Sequence, residues 1–368
     1  MGIRESKKKK TQKPQKLENP VEPEKTVKAE KLEVPEKIEK SEEFEKPEKP
    51  EKLDLSEKNL LNLDVLKDKD LNGLKELNLS DNKIQDLNQL ETFSMNNLEI
   101  LDLTRNKFPN IEILAKVQFN KLKILNLTGN GINDITVLGN SNFPNLEKLI
   151  LGWNKIDNID ILEKVNFKEL KELCLRYNKI TNINILEKAD FKHLEILYLD
   201  GNTLSSMDIF EKVDFPELKE LSMEHTKNIT DINILEKVNF KKLEKLDLYG
   251  NNISNINVLE NVNFPELKEL CFSFNKIYSI DVLERVNFEK LENLDVSSNS
   301  ISDINVLEKV NFKNLKYLKL QFNRIYNIDV FGKVNFEKLE ELNLSDNQIS
   351  KSSPIIQNLQ TKIKEFYY

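Results

Sequence analysis

Residues 74–87 read Leu-Lys-Glu-Leu-Asn-Leu-Ser-Asp-Asn-Lys-Ile-Gln-Asp-Leu, and variants of this stretch recur along most of the chain. Successive copies begin 24 residues apart, except for one step of 25 residues from Leu218 to Leu243. A degraded copy at residues 53–66 precedes them, so the array covers about residues 53–350. A fixed period of this length predicts one repeat array instead of several globular domains. The clear copies begin at Leu74, Leu98, Leu122, Leu146, Leu170, Leu194, Leu218, Leu243, Leu267, Leu291, Leu315 and Leu339.

Each copy combines several short structural signals. The Leu-x-Leu alternation predicts a short strand with one buried face. The asparagine that follows, Asn82 in the first copy, can satisfy buried backbone groups of neighbouring turns with its side-chain amide. Apolar residues three apart, such as Ile159, Leu162 and Val165, predict a short helical turn on the outer side. A phenylalanine closes most units, and these rings are expected to stack into an internal spine: Phe119, Phe143, Phe167, Phe191, Phe215, Phe240, Phe264, Phe288, Phe312 and Phe336.

The combined pattern, LxxLxLxxNxIxxIxxL, resembles the leucine-rich repeat over about four-fifths of the chain. It is similar to the Ile-x-x-Ile class of the protein phosphatase 1 regulatory subunit and of internalins, with two extra residues per unit in the Val-Asn-Phe segment. The resemblance implies an α/β fold: a right-handed solenoid of about 12–13 repeats of 24 residues, with a parallel concave sheet and short helical turns on its convex side. It also implies a non-enzymatic scaffold that binds a protein partner on the concave face. The alternative function that it implies is regulation of a phosphatase catalytic subunit.

The two ends of the chain differ from the repeats. Residues 1–52 hold 15 basic and 13 acidic residues and six of the 11 prolines, which predicts a disordered Lys/Glu/Pro-rich tail before the solenoid at 53–350. Residues 351–368 predict a capping helix, with Ser352 or Ser353 as N-cap and Pro354 at the first helical position. The apolar residues expected on one face of this helix are Ile356, Leu359, Ile363 and Phe366.

Outward-pointing strand residues line the recognition face of a solenoid, and two groups of them depart from the small polar consensus. Because parallel strands stack about 4.8 Å apart, each group is expected to form one patch. Tryptophan, tyrosine and arginine often dominate interface energies, so these patches predict partner sites. The alternative is that a concave sheet simply tolerates aromatic side chains leaning over their neighbours. The first group comprises Ile150, Trp153, Arg176, Tyr177, Ile196, Tyr198, Asp200, Glu224 and His225, and the second comprises Tyr249, Phe274, Tyr317 and Phe322.

Two further patterns concern the stacking of the repeats. The second position of each repeat alternates in charge from Lys75 to Glu340, so each charge should lie between two opposite ones. This ladder could specify register, or it could reflect duplication of two-repeat units. The 25-residue step contains Thr226 where the other repeats have asparagine, and it predicts a locally loosened or kinked stack. This step could serve as a contact loop or bend that fits a partner, but drift in a redundant array is the favoured explanation.

Composition argues against several classes of protein. The net charge of −7 argues against nucleic-acid binding, and two histidines and two cysteines leave little for a metal site or a disulfide scaffold. We find no catalytic constellation and no cofactor motif, and therefore predict that the chain is not an enzyme. Cys174 and Cys271 are expected to be exposed free thiols, which suggests a reducing, cytoplasmic environment. An internalin-like surface adhesin would need an export signal, which the N-terminus does not resemble.

The N-terminal residues match the pattern M-G-x-x-x-[ST], with Gly2 as the acceptor and Ser6 at the last position. Lysines at positions 7–10, 13 and 16 follow it. A myristoyl chain needs a second signal, such as a basic patch, for stable membrane binding. In a eukaryotic source this pattern predicts a membrane-tethered adaptor, peripheral to a membrane surface. The alternative is a chance match in front of a solubilising lysine run.

Overall fold

The computed structural model describes residues 50–226, 228–334 and 336–368, so most of the predicted tail and Gly2 lie outside the described residues. Fourteen short strands form one sheet in which all strands are parallel and follow one another in chain order. The strands are β1 Lys52–Asp54, β2 Glu76–Asn78, β3 Ile100–Asp102, β4 Ile124–Asn126, β5 Lys148–Ile150, β6 Glu172–Cys174, β7 Ile196–Tyr198, β8 Glu220–Ser222, β9 Lys245–Asp247, β10 Glu269–Cys271, β11 Asn293–Asp295, β12 Tyr317–Lys319, β13 Glu341–Asn343 and β14 Glu365–Tyr367.

A 3-10 helix lies between each pair of consecutive strands from β1 to β13, which confirms the short helical turns. Each begins at an Asx or Ser turn: Asn158 Oδ1, for example, accepts the Asp160 backbone N–H at 2.7 Å. These helices are Asp64–Leu66, Asn88–Thr92, Glu112–Ala115, Thr136–Asn140, Asp160–Glu163, Asn184–Glu187, Asp208–Glu211, Asn233–Glu236, Asn257–Glu260, Asp281–Glu284, Asn305–Glu308 and Asp329–Gly332. The sheet forms the concave face of the solenoid and the 3-10 helices form its convex side.

The core is a continuous apolar layer between the sheet and the 3-10 helices. The inward leucines of every repeat from Leu74 to Leu320 belong to it, and so do nine of the ten predicted spine phenylalanines. Phe336, in the last repeat, is only partly buried. The Phe143 and Phe167 ring centroids lie 6.4 Å apart with the ring planes 17° from parallel, so neighbouring repeats share one packed interior.

The repeated asparagines link neighbouring turns, as the sequence predicts. Asn154 Nδ2 donates to the backbone oxygens of Leu127 at 3.0 Å and Leu151 at 2.9 Å, while its Oδ1 accepts the Ile132 backbone N–H at 3.0 Å. Each asparagine therefore satisfies backbone groups of its own turn and of the preceding one, which would otherwise be buried without partners.

The 25-residue step does not loosen the sheet, contrary to our expectation. Leu221 and Leu246 remain in register across β8 and β9. The Thr226 hydroxyl is buried and donates to Asn251 Oδ1 at 2.5 Å. Because the extra residue lies in the turn after β8, the strands keep the spacing of the other repeats.

The charge ladder divides into pairs. Each lysine of the ladder contacts the glutamate of the preceding repeat: Lys123 Nζ lies 2.7 Å from Glu99, and Lys171 Nζ lies 2.7 Å from Glu147. The same pairing recurs at Lys75, Lys219, Lys268 and Lys316. These salt bridges link the repeats two by two, so the predicted ladder of opposite neighbours forms direct contacts on one side of each lysine.

The C-terminal segment differs from the predicted capping helix. The helix α1 spans Ile355–Lys362, Pro354 takes the N-cap position, and no side chain caps this helix. Ile356 and Leu359 are buried against the last repeat, but the prediction that Ile363 and Phe366 continue the helix is wrong. Residues 365–367 form β14 instead, because Ile-x-x-Phe matches the Leu-x-x-Leu segment of the repeats and the edge of β13 offers backbone groups for pairing.

Candidate functional site

The first group of predicted partner residues lies along β5 to β8 and the residues directly after these strands. Ile150, Ile196 and Tyr198 are half-buried residues of β5 and β7 that point away from the core. Arg176 and Tyr177 follow β6. The remaining members of the group, Trp153, Asp200, Glu224 and His225, follow β5, β7 and β8.

Trp153 and Tyr177 form an aromatic stack at the edge of this face. Their ring centroids are 4.1 Å apart and the ring planes lie 21° from parallel. Trp153 remains 62% exposed. In the next repeat Gly201 makes room for the stack, because a Cβ atom at that position would lie 2.4 Å from the Tyr177 ring.

A buried carboxylate organises the residues beside this stack. Asp200 accepts hydrogen bonds from Arg176 Nε and Ser222 Oγ, and from the Glu224 backbone N–H at 2.8 Å. Its side chain is almost fully buried, so Asp200 supports the surface from below and does not present its charge to a partner. The buried acceptor fixes Arg176, whose guanidinium carbon lies 3.7 Å from the Tyr198 ring centroid.

Carboxylates that form no ion pair with any described residue lie on the adjacent strands. Tyr198 Oη donates to Glu220 Oε2 at 2.8 Å. The Glu224 carboxyl lies within hydrogen-bonding reach of Asp247, and burial together with the Asp247 and Asp200 charges raises the pKa of Glu224 to about 7. Burial also raises the pKa of Asp247. The cations on either side are already paired, with Lys148 at 2.7 Å from Glu172 and Lys245 at 3.8 Å from Glu269.

The aromatic row continues beyond the first group. The His225 and Tyr249 ring centroids are 4.7 Å apart in an edge-to-face arrangement, and the Tyr249 and Phe274 centroids are 5.2 Å apart. Two members of the second predicted group, Tyr249 and Phe274, are therefore continuous with the first group. The other two, Tyr317 and Phe322, lie on and directly after β12, two repeats further along.

The eighth position of every repeat adopts a left-handed backbone conformation. This conformation favours glycine, yet five of these positions carry an aromatic ring or a histidine. The positive φ angles are Glu57 56°, Asp81 52°, Arg105 49°, Gly129 70°, Trp153 55°, Tyr177 52°, Gly201 64°, His225 51°, Gly250 68°, Phe274 56°, Ser298 51°, Phe322 56° and Asp346 55°.

Sequence reasoning missed several residues of this face and its edges. Asp247 and Glu220 add negative charge to the face formed by β8 and β9. Tyr278 and Tyr326 are 65% and 67% exposed. The two tyrosines could have been noticed, because the twelfth position of the other repeats is polar or proline. The proximity of Asp247 to Glu224 depends on side-chain placement across two strands, which a single sequence does not reveal.

The expectation of two exposed thiols is wrong. Cys174 is buried and Cys271 is half-buried, and burial raises the pKa of each thiol. The residues in register with Cys174 on the neighbouring strands are Ile150 and Tyr198, and those in register with Cys271 are Asp247 and Asp295. Four strand spacings separate β6 from β10, about 19 Å, so the two sulfurs cannot form a disulfide with each other.

Within residues 50–226, 228–334 and 336–368, no group of three or more His, Cys, Asp or Glu side chains could hold a metal ion. In the same part of the chain, no helix has the length and apolar character needed to cross a bilayer.

Comparison with known proteins identifies the repeats. Residues 168–212, 265–309 and 313–357 match the family described as leucine-rich repeats in two copies, and residues 73–87 and 120–135 match a single leucine-rich repeat. No curated protein matches the chain in sequence.

Solved structures show the same fold. An internalin from Listeria monocytogenes is 26% identical, with 81% of each chain covered and a TM-score of 0.67. A leucine-rich repeat protein from Leptospira interrogans is 24% identical over 81% of this chain and 73% of that chain, with a TM-score of 0.67. A plant peptide hormone receptor in complex with RGF2 is 18% identical over 80% of this chain and 51% of that chain, with a TM-score of 0.60.

Proposed function

The chain is a leucine-rich repeat protein, and we propose that it is a non-enzymatic scaffold that binds another protein through the concave face of its fourth to eighth repeats. The observation that carries this proposal is the exposed Trp153–Tyr177 stack, fixed beside the buried Asp200 network. A rigid aromatic anchor next to oriented polar groups has the composition of an interface hot spot. The stack needs no rearrangement to receive a partner, so little conformational entropy is lost on binding.

The charge of this face favours a partner segment that carries lysine or arginine next to an apolar side chain. Within the described part of the chain, Glu220, Glu224 and Asp247 form no ion pair, while the nearby cations Arg176 and Lys245 are already paired. A basic side chain could therefore contact these carboxylates while an apolar neighbour packs against Trp153. Charge complementarity of this kind contributes mainly to specificity and association rate.

The proposal can be tested by affinity capture from native lysate with the full-length chain as bait. The Trp153→Ala/Tyr177→Ala double variant should lose a protein that the wild type retains, while its circular dichroism stays unchanged. The matched control is Asp81→Ala/Arg105→Ala, which alters the same repeat position in two earlier repeats and should retain the protein. If all three baits capture the same set of proteins, this face is not the binding site.

Two alternatives are distinguished by further results. A phosphatase catalytic subunit among the proteins lost from the double variant would favour the second candidate function, regulation of a phosphatase.

A membrane-tethered adaptor is favoured by Gly2 and the lysines that follow it, and it predicts that Gly2→Ala moves the protein from the membrane pellet to the supernatant. Unchanged fractionation would reject the tether. The two free cysteines fit a cytoplasmic location in either case.

A further inference from the structure

We propose that the ninth to eleventh repeats form a second docking site, which begins where the aromatic row of the first face ends at Phe274. It binds an extended partner segment in which an acidic residue adjoins an aromatic or proline side chain. We call this site the aromatic slot. Phe274 and Tyr278 form one of its walls, Phe322 and Tyr326 form the other, and Ser300 lies in the repeat between them.

The walls of the aromatic slot are exposed to a degree that is unusual for large apolar side chains. Phe274 and Phe322 are each 56% exposed, and Tyr278 and Tyr326 are more exposed still. In the described part of the chain, these four residues account for four of the ten exposed large hydrophobic side chains. Clusters of exposed aromatic surface on a repeat protein are characteristic of interaction sites.

The repeat geometry gives the aromatic slot a defined width. The two walls occupy the same positions in repeats two apart, so roughly two strand spacings of about 4.8 Å, or about 10 Å, separate them. The intervening repeat has serine at each corresponding position: Ser298, Ser300 and Ser302. Subtracting one ring thickness of about 3.5 Å leaves about 6 Å, which fits one planar or compact side chain and excludes a helix.

The positive charges beside the aromatic slot favour an acidic partner segment. Lys276 and Arg324 lie at the tenth position of the two wall repeats, are exposed, and form no ion pair within the described residues. The unpaired cations therefore complement an acidic residue of the segment whose ring or proline enters between the walls. The face around Glu224 has the opposite charge, so the two sites select different segments.

The test uses the full-length chain and a displayed library of random 12-residue peptides. Peptides are selected on the wild type and counter-selected on Tyr278→Ser/Tyr326→Ser, which places in both wall repeats the residue that the intervening repeat carries at Ser302. We expect enrichment of peptides with Asp or Glu next to Phe, Tyr, Trp or Pro. Enrichment of basic peptides, or no difference between the two baits, would overturn the proposal.

A synthetic peptide from the enriched set then assigns the site. Its Kd should rise at least tenfold with Tyr278→Ser/Tyr326→Ser and with Lys276→Ser/Arg324→Ser, and it should be unchanged with Trp153→Ala. The circular dichroism and thermal midpoint of both double variants should match those of the wild type, because all four substituted side chains are exposed. If Trp153→Ala weakens binding and the slot variants do not, the peptide binds the concave face, which supports the proposed function and rejects the aromatic slot.

Discussion

At the eighth position of several repeats, the backbone adopts a conformation that favours glycine, although the residue there has a large aromatic side chain. A left-handed conformation costs a residue other than glycine about 1 kcal/mol, yet Trp153, Tyr177 and Phe274 are placed there. Their rings consequently project at the edge of the sheet, and the neighbouring glycines Gly201 and Gly250 leave space beside the Tyr177 and His225 rings. Because Asp81, Arg105 and Ser298 adopt the same conformation, this strain is a property of the repeat turn, and the exposed ring is what distinguishes the aromatic positions.

The space beside Tyr177 can be tested by Gly201→Ala. The new Cβ would lie 2.4 Å from the Tyr177 ring, so the ring should move away from Trp153 and change the fluorescence of this single tryptophan. We expect a cost of about 1–3 kcal/mol from backbone strain and overpacking, measured by thermal unfolding. The control is Gly131→Ala, which also has a positive φ but has only Lys155 Nζ within 4 Å, at 3.9 Å. Equal Trp153 emission in both variants would contradict the proposed contact.

The Glu224–Asp247 pair gives a prediction for pH dependence. Because the folded-state pKa of Glu224 is raised to about 7, the folded chain retains a proton that the unfolded chain releases near pH 4.5. The contribution of this group to stability therefore falls as pH rises from about 4.5 to 7. Glu224→Gln should raise the free energy of unfolding at pH 8 by about 1 kcal/mol after allowance for solvent screening, and leave it nearly unchanged at pH 4, as measured by thermal unfolding. An equal effect at both pH values would show that ionisation is not the cause.

At the scale of the element, each repeat consists of a three-residue strand, a 3-10 helix and the turns that join them. The strand buries one leucine, the asparagine closes the turn, and the phenylalanine fills the space between sheet and helix. None of these elements is long enough to be stable alone. Their stability comes from the two neighbouring repeats, so a substitution in a central repeat should affect both.

The phenylalanine spine is tested by Phe240→Ala. Phe240 is fully buried in the middle of the array and its ring packs edge-to-face with Phe210 at 5.9 Å, so its loss leaves a cavity. We expect the free energy of unfolding to fall by about 3–5 kcal/mol. Phe336→Ala, at a partly buried position in the last repeat, should cost less. A thermal midpoint that does not change with Phe240→Ala would contradict a packed spine.

The elements inside the array could be predicted because their signals recur in every copy. The end of the chain could not, because the spacing of Ile363 and Phe366 fits both one face of a helix and the Leu-x-x-Leu segment that leads into each strand of the repeats. The structure resolves this ambiguity in favour of β14, since the edge of β13 offers backbone partners, including the Leu344 N–H that donates to the Tyr367 oxygen at 2.7 Å. Pairing at a sheet edge is a long-range effect that local periodicity does not contain.

At the scale of the whole array, a uniform core supports a surface that changes along its length. The fourth to eighth repeats present aromatic residues beside carboxylates, and the ninth to eleventh repeats present aromatic residues beside cations, none of which forms an ion pair with another described residue. The sequence predicted the positions of most of these aromatic residues, because departures from a repeat consensus are visible in one sequence. It could not predict which charges are already neutralised, such as Arg176 by Asp200, because that depends on side-chain geometry between strands.

The most direct test of the central claim is hydrogen–deuterium exchange of the full-length chain with and without the captured partner. We predict that the partner slows exchange in β5 to β9 and in the residues that follow each of these strands, and leaves the 3-10 helices on the convex side unchanged. Protection confined to the convex helices, or to the terminal repeats, would show that the partner binds elsewhere and would contradict the account.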